Sequence, residues 1–201
     1  MKVIIVRHGQ TDENVGDGLA ARKSDVLLND EGVTQAKKLA EHLKGEKISH
    51  AYVSPLTRAV DTAKHILEHH MGVNITHVDE LLEQNLGAAE SMSKAAWKEI
   101  KKNATEPFHV FKAEGGESYA ELQARAQKFF HELAQKHPND TVLIVSHGGT
   151  LGVLLLHILE KELTEENYRA HQPKNTEFTV IEISDDGQKT VHVLNSREHL
   201  N

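Results

Sequence analysis

The chain has 201 residues, 38% of them hydrophobic and 26% charged, which suits one domain that buries its own core. Its 30 acidic residues outnumber the 23 basic ones, and the resulting formal charge of −7 argues against a general nucleic-acid binder. The absence of cysteine excludes disulfides, thiolate-bound zinc, iron–sulfur clusters and a cysteine nucleophile. The 15 histidines are unusual and are compatible with metal binding, catalysis or composition alone.

Short runs of apolar and β-branched residues have the length and composition of buried strands. They lie at Lys2–Val6, Ala51–Val53, Ile75–Val78 and Thr141–Val145. Two alternating segments near the C terminus flank Asp185-Asp186-Gly187 and predict a hairpin that adds at least one antiparallel strand.

Helices are predicted between these strands, each opened by a recognisable start signal. The signals are Asn29 for a helix ending near Gly45, Ser54-Pro55 as cap and first helical position, Ser118, and Gly148-Gly149-Thr150. Alternating strands and helices predict one α/β domain over residues 1–201, a three-layer α/β/α sandwich with a mainly parallel, mixed sheet.

No segment has the length and hydropathy of a signal peptide or a membrane span. The apolar run Val3–Val6 is too short, and the run at Val153–Leu156 is interrupted by His157. This pattern favours a cytoplasmic protein that contacts neither membranes nor nucleic acid.

A short repeat joins two predicted strands to the same motif. Ile5–Thr11 and Ile144–Thr150 are each a strand that runs directly into His-Gly-x-Thr. Because ligands of open α/β sheets bind at the carboxyl ends of strands, His8 and His147 are expected at one edge. The helix opening near Gly149 offers N–H groups that favour an anion. Two inert strand-ending histidines are the competing interpretation, and the repetition weakens it.

Two arginines are expected near the same edge. Arg7 adjoins His8, and Arg58 lies shortly after the second predicted strand. A planar guanidinium suits bidentate binding of phosphate oxygens. Alone, each arginine would more simply form a surface ion pair, but together with two histidines they predict a phosphate pocket.

Five motifs, in order along the chain, resemble those of the histidine phosphatase superfamily, which includes cofactor-dependent phosphoglycerate mutases and small phosphatases. They are Arg7–Thr11 with Asn14, Ser54–Ala59 with Thr62-Ala63, Leu82–Gly87 with Glu90, Gly115–Ser118 with Arg125, and Ser146–Gly149.

The resemblance implies a metal-independent phosphomonoesterase that forms a phosphohistidine on His8 while hydrolysing a small phosphorylated metabolite. Glu83 would protonate the leaving oxygen and later activate water. Arg7, Arg58 and a cationic His147 would hold the phosphoryl oxygens, so that no metal or other cofactor is needed. The remaining implied phosphate-binding residues are Gly9, Thr11, Asn14 and Gly148.

Substrate-facing positions depart from the family pattern. Ala89 stands where the family usually has tryptophan, Ser91 stands where glycine usually follows the glutamate, and the loop Val15–Ser24 is altered. A lid-like segment is expected around residues 88–117. Its shortness favours a phosphatase over a mutase, which has to exclude water from the phosphohistidine. The physiological substrate, and the choice between monomer and homodimer, stay open.

Three alternatives remain at this point. A cofactor-dependent phosphoglycerate mutase shares the motifs, and a non-catalytic phospholigand-binding domain would share the fold but would usually have lost the nucleophile or the acid. A metal site is the third, since His65 and His69 are four residues apart beside His70 on a predicted helix. A solvated helix face explains that last spacing more simply. The other histidines, His50 and His137 among them, form no cluster in the sequence.

Overall fold

Six strands form one mixed sheet in the computed structural model, which describes residues 1–17 and 25–201. The strands are β1 (Lys2–Arg7), β2 (His50–Val53), β3 (Ile75–His77), β4 (Thr141–Ser146), β5 (Phe178–Ile183) and β6 (Lys189–Ser196). Their order across the sheet is β3-β2-β4-β1-β5-β6. The first four strands of that order are mutually parallel, whereas β5 pairs antiparallel with both β1 and β6, which confirms the predicted mixed sheet.

The described helices connect these strands and cover the sheet. They are α1 (Asp12–Val15), α2 (Asp30–Leu43), α3 (Thr57–Leu67), α4 (Lys94–Lys102), α5 (Tyr119–Lys136), α6 (Gly148–Ile158) and α7 (Glu165–His171). Short 3-10 turns occur at Asp79–Leu81, Gly87–Ser91 and Glu198–Leu200.

Alternate residues of the central strands enter two separate cores. Val3 and Ile5 of β1 belong to a core with α5 and α6, whereas Ile4 and Val6 belong to a core with α2 and α3. Because successive strand side chains point to opposite faces, a central strand with helices on both sides must be apolar throughout. The predicted α/β/α layering is confirmed.

The register of β1 and β4 determines where the repeated motif lies. The two strands are parallel, with Arg7 opposite Ser146, so His8 and His147 leave the sheet at the same edge. The ladder continues one step, since the His8 N–H donates to the carbonyl oxygen of Ser146 at 3.0 Å.

The start predicted for α3 at Ser54-Pro55 is wrong. The helix begins at Thr57, with Leu56 as its N-cap residue. The carboxylate of Asp25 accepts hydrogen bonds from the Thr57 N–H at 2.6 Å and hydroxyl at 2.8 Å, and it caps the first turn from outside the helix. Ser54 is thereby left for a contact with His147.

The predicted lid segment contains the turn at Gly87–Ser91, α4 and the loop that leads to α5. The Lys94 ammonium donates to the backbone carbonyls of Glu13, at 2.9 Å, and of Asn14, at 3.3 Å. These contacts attach α4 to α1. Residues 18–24 of the altered loop Val15–Ser24, including Ala20, Ala21 and Arg22, lie outside the described residues.

The helix α6 is the most deeply buried one, and His157 is its one residue that is not buried. Its 11 residues extend only about 16 Å, at about 1.5 Å per residue, which is half the thickness of a membrane core. Within residues 1–17 and 25–201, no helix combines the length and the apolar character needed to cross a membrane.

Candidate active site

The side chain of His8 is held in one tautomer at the end of β1. Its Nδ1 lies 2.7 Å from the carbonyl oxygen of Gly9, which can only accept, so Nδ1 carries the proton and Nε2 keeps its lone pair. The residue is 2% exposed. Burial, reinforced by Arg7 and Arg58, holds the pKa of His8 well below its ordinary value. The imidazole is therefore a neutral base with one available nitrogen.

The backbone beside His8 passes α2 at a distance that excludes side chains. A Cβ on Gly9 would lie 2.6 Å from the carbonyl oxygen of Gly32, and a Cβ on Gly32 would lie 2.1 Å from that of Gln10. Both positions thus require glycine. The Gly9 N–H donates to the Thr62 hydroxyl at 2.9 Å, which links the loop to α3.

His147 lies beside His8, with the ring centroids 5.1 Å apart. It is fully buried as the N-cap residue of α6. The Arg58 Nε–H donates to Nδ1 at 3.3 Å, so Nε2 carries the ring proton and donates to the Ser54 hydroxyl at 2.7 Å. Burial, followed by the charge of Arg58, holds the pKa of His147 well below its ordinary value. The protein's own groups thus favour a neutral His147, and the cationic His147 expected around a phosphoryl group stays a prediction.

Two cations converge on the histidine pair. Arg58 is fully buried, and the Arg7 guanidinium lies against Gly148, where a Cβ would be 3.0 Å from Nη1. Arg7 Nη1 donates to the Pro173 carbonyl oxygen at 2.8 Å. Arg7 Nε is buried without a hydrogen-bond partner among the residues that the structure describes. Burial lowers the pKa of both arginines, because desolvation disfavours the charged guanidinium.

The Glu83 carboxylate lies at the N terminus of α6. Oε2 accepts from the Gly149 N–H at 3.0 Å, and Oε1 accepts from the N–H groups of Thr150 at 3.1 Å and Gln84 at 2.8 Å. A Cβ on Gly149 would lie 2.4 Å from Oε1, so the second glycine of the motif makes room for the acid. The sequence predicted that the helix amides would receive a bound anion, but two of them hold Glu83 instead.

Arg125 fixes the segment that carries Glu83. Its guanidinium donates to the carbonyl oxygens of Glu80 at 2.5 Å, Leu82 at 2.8 Å and Glu83 at 3.2 Å. The Arg125 Nε–H also donates to the Glu117 carboxylate at 2.7 Å. The family motif that contains Glu117 and Arg125 therefore orients the acid, a role that the sequence pattern did not reveal.

Asn175 is a site residue that the sequence analysis missed. Its Nδ2 donates to the His8 carbonyl oxygen at 3.0 Å and to Asn14 Oδ1 at 2.9 Å. Asn14 Oδ1 also accepts from the Thr11 N–H at 3.0 Å, so its Nδ2 is the amide group left to contact a ligand. Asn175 lies in the loop before β5, and no motif marks it.

The two buried histidines predict a loss of stability in acid. Their pKa values are lower in the folded protein than the value of about 6.5 of an unfolded chain, so below that pH the unfolded state binds more protons. The stabilisation present above pH about 6.5 is lost as the pH falls. Each histidine should contribute about 1.4 kcal/mol of unfolding free energy per pH unit. Urea unfolding at pH 7.5, 6.5 and 5.5 measures this slope.

Variants show whether His8 and His147 cause this change of unfolding free energy with pH. In His8→Ala the unfolding free energy should change less steeply with pH, by the equivalent of about one bound proton. An equal slope in wild type and in the double variant His8→Ala/His147→Ala would show that neither histidine is held neutral.

Comparison with known proteins places the chain in a family. The sequence profile of the histidine phosphatase superfamily (branch 1) matches residues 3–196. A probable phosphatase of Schizosaccharomyces pombe is 31% identical over 206 residues, which cover 100% of this chain and 95% of the relative. A metal-independent phosphoserine phosphatase of Arabidopsis thaliana is 31% identical over 169 residues, which cover 79% of this chain and 69% of the relative.

The fold agrees with that relationship. The solved structure of Bacillus stearothermophilus YhfR superposes with a TM-score of 0.88 at 25% identity, covering 100% of this chain and 99% of that one. The shared architecture extends over all of the chain, and the family profile covers both histidine motifs, the acid segment and both arginines. The chain belongs to the histidine phosphatase superfamily.

Proposed function

We propose that the chain hydrolyses phosphomonoesters through a covalent phosphate on His8, without a metal. One observation carries this assignment: a neutral, buried His8 keeps the lone pair of Nε2, while the half-buried Arg7 and the fully buried Arg58 bring two cations to the same place. Phosphoryl transfer depends mainly on positioning and on positive groups around the spreading negative charge. This cluster supplies both.

The first transfer uses His8 as nucleophile. Nε2 attacks phosphorus, the nitrogen–phosphorus bond forms, and the ester oxygen leaves with the electrons of the broken bond. Glu83, in its protonated form, gives that oxygen a proton and becomes a carboxylate. The Nδ1–H bond to the Gly9 carbonyl stabilises the positive charge that the ring acquires.

The second transfer returns the phosphate to water. The Glu83 carboxylate takes a proton from a water molecule as its oxygen attacks phosphorus, and the bond to Nε2 breaks. Orthophosphate leaves, and His8 and protonated Glu83 are restored. The backbone N–H groups of Gly149 and Thr150 keep the carboxylate in place between the two steps.

Arg7, Arg58 and His147 would bind the three phosphoryl oxygens. A dianion between the two guanidiniums would offset their mutual repulsion and would favour a proton on His147, reversing the effect that the arginines have on its pKa. Thr11, Asn14 and Gly148 would complete the phosphate site through backbone and side-chain donors. Gly9 would contribute by its small size, because its N–H already donates to the Thr62 hydroxyl. In the same proposal, residues 88–117 act as a lid over it.

Arg125 should act as a positioning residue for Glu83. Arg125→Lys keeps the charge but cannot span three carbonyls and the Glu117 carboxylate, so kcat should fall about 10-fold or more with little change in KM. Steady-state kinetics of this variant and of exposed Arg197→Lys measure the difference. A change in KM alone, or equal losses in both variants, would contradict a role in orienting the acid.

A basic and aromatic cavity beside the site suggests the chemistry of the leaving group. The cavity has a volume of about 440 Å³, and its lining includes Lys98, Lys101, Phe108 and Tyr119. A smaller adjoining cavity shares Lys101 and Tyr119 and reaches Gln172, whose amide lies 3.3 Å from where a Gly148 Cβ would be. The pocket is thus close to the N terminus of α6.

We infer that the leaving group carries a carboxylate. Burial and the charge of nearby Arg169 lower the pKa of Lys101, whereas the Glu165 carboxylate raises it, so a further anion beside Lys101 would be favourable. The phosphoserine phosphatase relative, by its name, acts on a phosphomonoester with a carboxylate. Phosphoserine and 3-phosphoglycerate are therefore the first substrates to assay.

The substrate test compares two classes of ester in two variants. Lys101→Gln should raise KM for phosphoserine or 3-phosphoglycerate about 10-fold or more and leave 4-nitrophenyl phosphate unaffected, because the aryl ester has no carboxylate. Lys128→Gln, at an exposed position of α5, is the control. An equal rise in KM for both esters in Lys101→Gln would contradict the carboxylate proposal. Faster transfer of the phosphoryl group to a phosphoglycerate than to water would favour the alternative of a phosphoglycerate mutase.

A further inference from the structure

Two histidines and an aspartate meet at the edge of the sheet opposite the candidate active site. His50 begins β2, His137 is the C-cap residue of α5, and Asp140 directly precedes β4. One oxygen of Asp140, Oδ2, lies 2.8 Å from His137 Nδ1 and 3.3 Å from His50 Nε2. The two imidazole centroids are 4.1 Å apart.

We propose that His50, His137 and Asp140 form a binding site for a divalent transition metal such as Zn²⁺. Their candidate ligand atoms all lie within 4.8 Å of one another. Bonds of about 2.0–2.1 Å at tetrahedral angles place neighbouring ligands about 3.3–3.4 Å apart. The His50–Asp140 distance already has this value, and the His137–Asp140 pair needs to open by only about half an ångström.

The surroundings of His137 suit a metal ligand. Its second ring nitrogen, Nε2, lies 2.7 Å from the Tyr52 hydroxyl oxygen. If Nε2–H donates to that oxygen, Nδ1 is free of its proton and can bind the metal, which is the second-sphere arrangement common for ligating histidines. The Lys136 ammonium donates to the same oxygen at 3.1 Å, and its positive charge would weaken the binding of a metal ion nearby.

The burial of the three residues leaves a route for the ion. His137 is buried, whereas His50 and Asp140 are partly exposed, so an ion could enter from solvent and keep water as a fourth ligand. Imidazole and carboxylate ligands suit zinc in the absence of any cysteine. The site would join the starts of β2 and β4 to the end of α5.

The proposed metal would not take part in phosphate chemistry. Residues 141–146 of β4 lie between Asp140 and His147, a distance of about 23 Å at about 3.3 Å per residue. The expected effect is stabilisation of the fold by binding to the native state alone. The proposal is independent of the proposed phosphatase mechanism.

Zinc titration of the full chain, without a polyhistidine tag, tests the site. Calorimetry should show one ion per chain, and zinc should raise the melting temperature of the wild type. In His50→Gln, Kd should rise at least about 10-fold and the rise in melting temperature should disappear. His69→Gln is the matched control, because His69 also contacts a carboxylate, that of Glu41 at 3.1 Å, but lies outside the cluster.

Anomalous diffraction at the zinc edge locates the ion directly. We expect a peak bonded to His50 Nε2, His137 Nδ1 and Asp140 Oδ2. A peak only between His8 and His147, or unchanged zinc affinity in His50→Gln, would overturn the proposal. Equal losses in His50→Gln and His69→Gln would also overturn it, because they would indicate nonspecific binding by surface histidines.

Discussion

Replacing His8 with alanine is expected to lower kcat by at least about 10⁴-fold, because the variant lacks the atom that bonds to phosphorus. The remaining groups, Arg7, Arg58 and His147, still surround the phosphate site, so substrate should continue to bind. Steady-state kinetics with 4-nitrophenyl phosphate measure the loss in kcat, and binding of orthovanadate or phosphate by the variant measures what the site retains.

The matched control is His69→Ala, which removes a histidine paired with Glu41 at the surface. Its activity should equal that of the wild type. His8→Ala should remain folded by circular dichroism, because the excised ring leaves only local contacts with Gly9 and His147. Turnover within 10-fold of wild type in a folded His8→Ala protein would show that another group is the nucleophile.

Glu83→Gln should lower kcat by about 10²- to 10⁴-fold, the usual contribution of a positioned general acid and base. The loss should depend on the leaving group. The alcohol of an alkyl phosphate would leave as a strongly basic alkoxide and needs a proton, whereas 4-nitrophenolate does not. The first transfer from the aryl ester should therefore be affected much less than the first transfer from phosphoserine.

Rapid-mixing measurements separate the two transfers. With the aryl ester, Glu83→Gln should show a burst of 4-nitrophenol followed by slow turnover, because water attack still lacks its base. Glu132→Gln, an exposed acid on α5, should behave as wild type. An equal reduction of the burst and of the steady state for both esters would indicate that Glu83 only shapes the site.

The fold and the proximity of His8 to His147 could be predicted from the sequence because both depend on local patterns. Buried strands read as continuous apolar runs, and a motif repeated after two such strands must lie at one edge if the strands are parallel neighbours. The β1–β4 register meets that condition, with Arg7 opposite Ser146. His8 and His147 could thus be placed together from local patterns alone.

Features that depend on contacts between distant segments could not be predicted. The Arg125 guanidinium reaches three carbonyls about 42 to 45 residues away, and Asn175 meets the His8 carbonyl from a loop without any motif. The charge state of His147 depends on burial and on Arg58, which neither spacing nor residue type reveals.

The same limit explains two errors at helix ends. Ser54-Pro55 has the composition of a helix start, but the Ser54 hydroxyl is engaged by His147 and Asp25 caps α3 instead. Likewise, α3 ends at Leu67, so His65 and His69 do not share the predicted helix, and they contact Glu68 and Glu41 respectively. At Ser54-Pro55, local propensity yields to tertiary hydrogen bonds.

The most direct measurement is to trap the intermediate. The protein is mixed with a ³²P-labelled phosphomonoester, quenched in alkali within milliseconds and digested, and the labelled peptide is identified by mass spectrometry. We expect alkali-stable, acid-labile phosphate on His8 of the wild type. It should form as fast as the leaving alcohol is released in the first transfer, and it should be absent from His8→Ala. A wild-type enzyme that turns over at full rate with label on another residue, or with no phosphoenzyme at any time point, would contradict it.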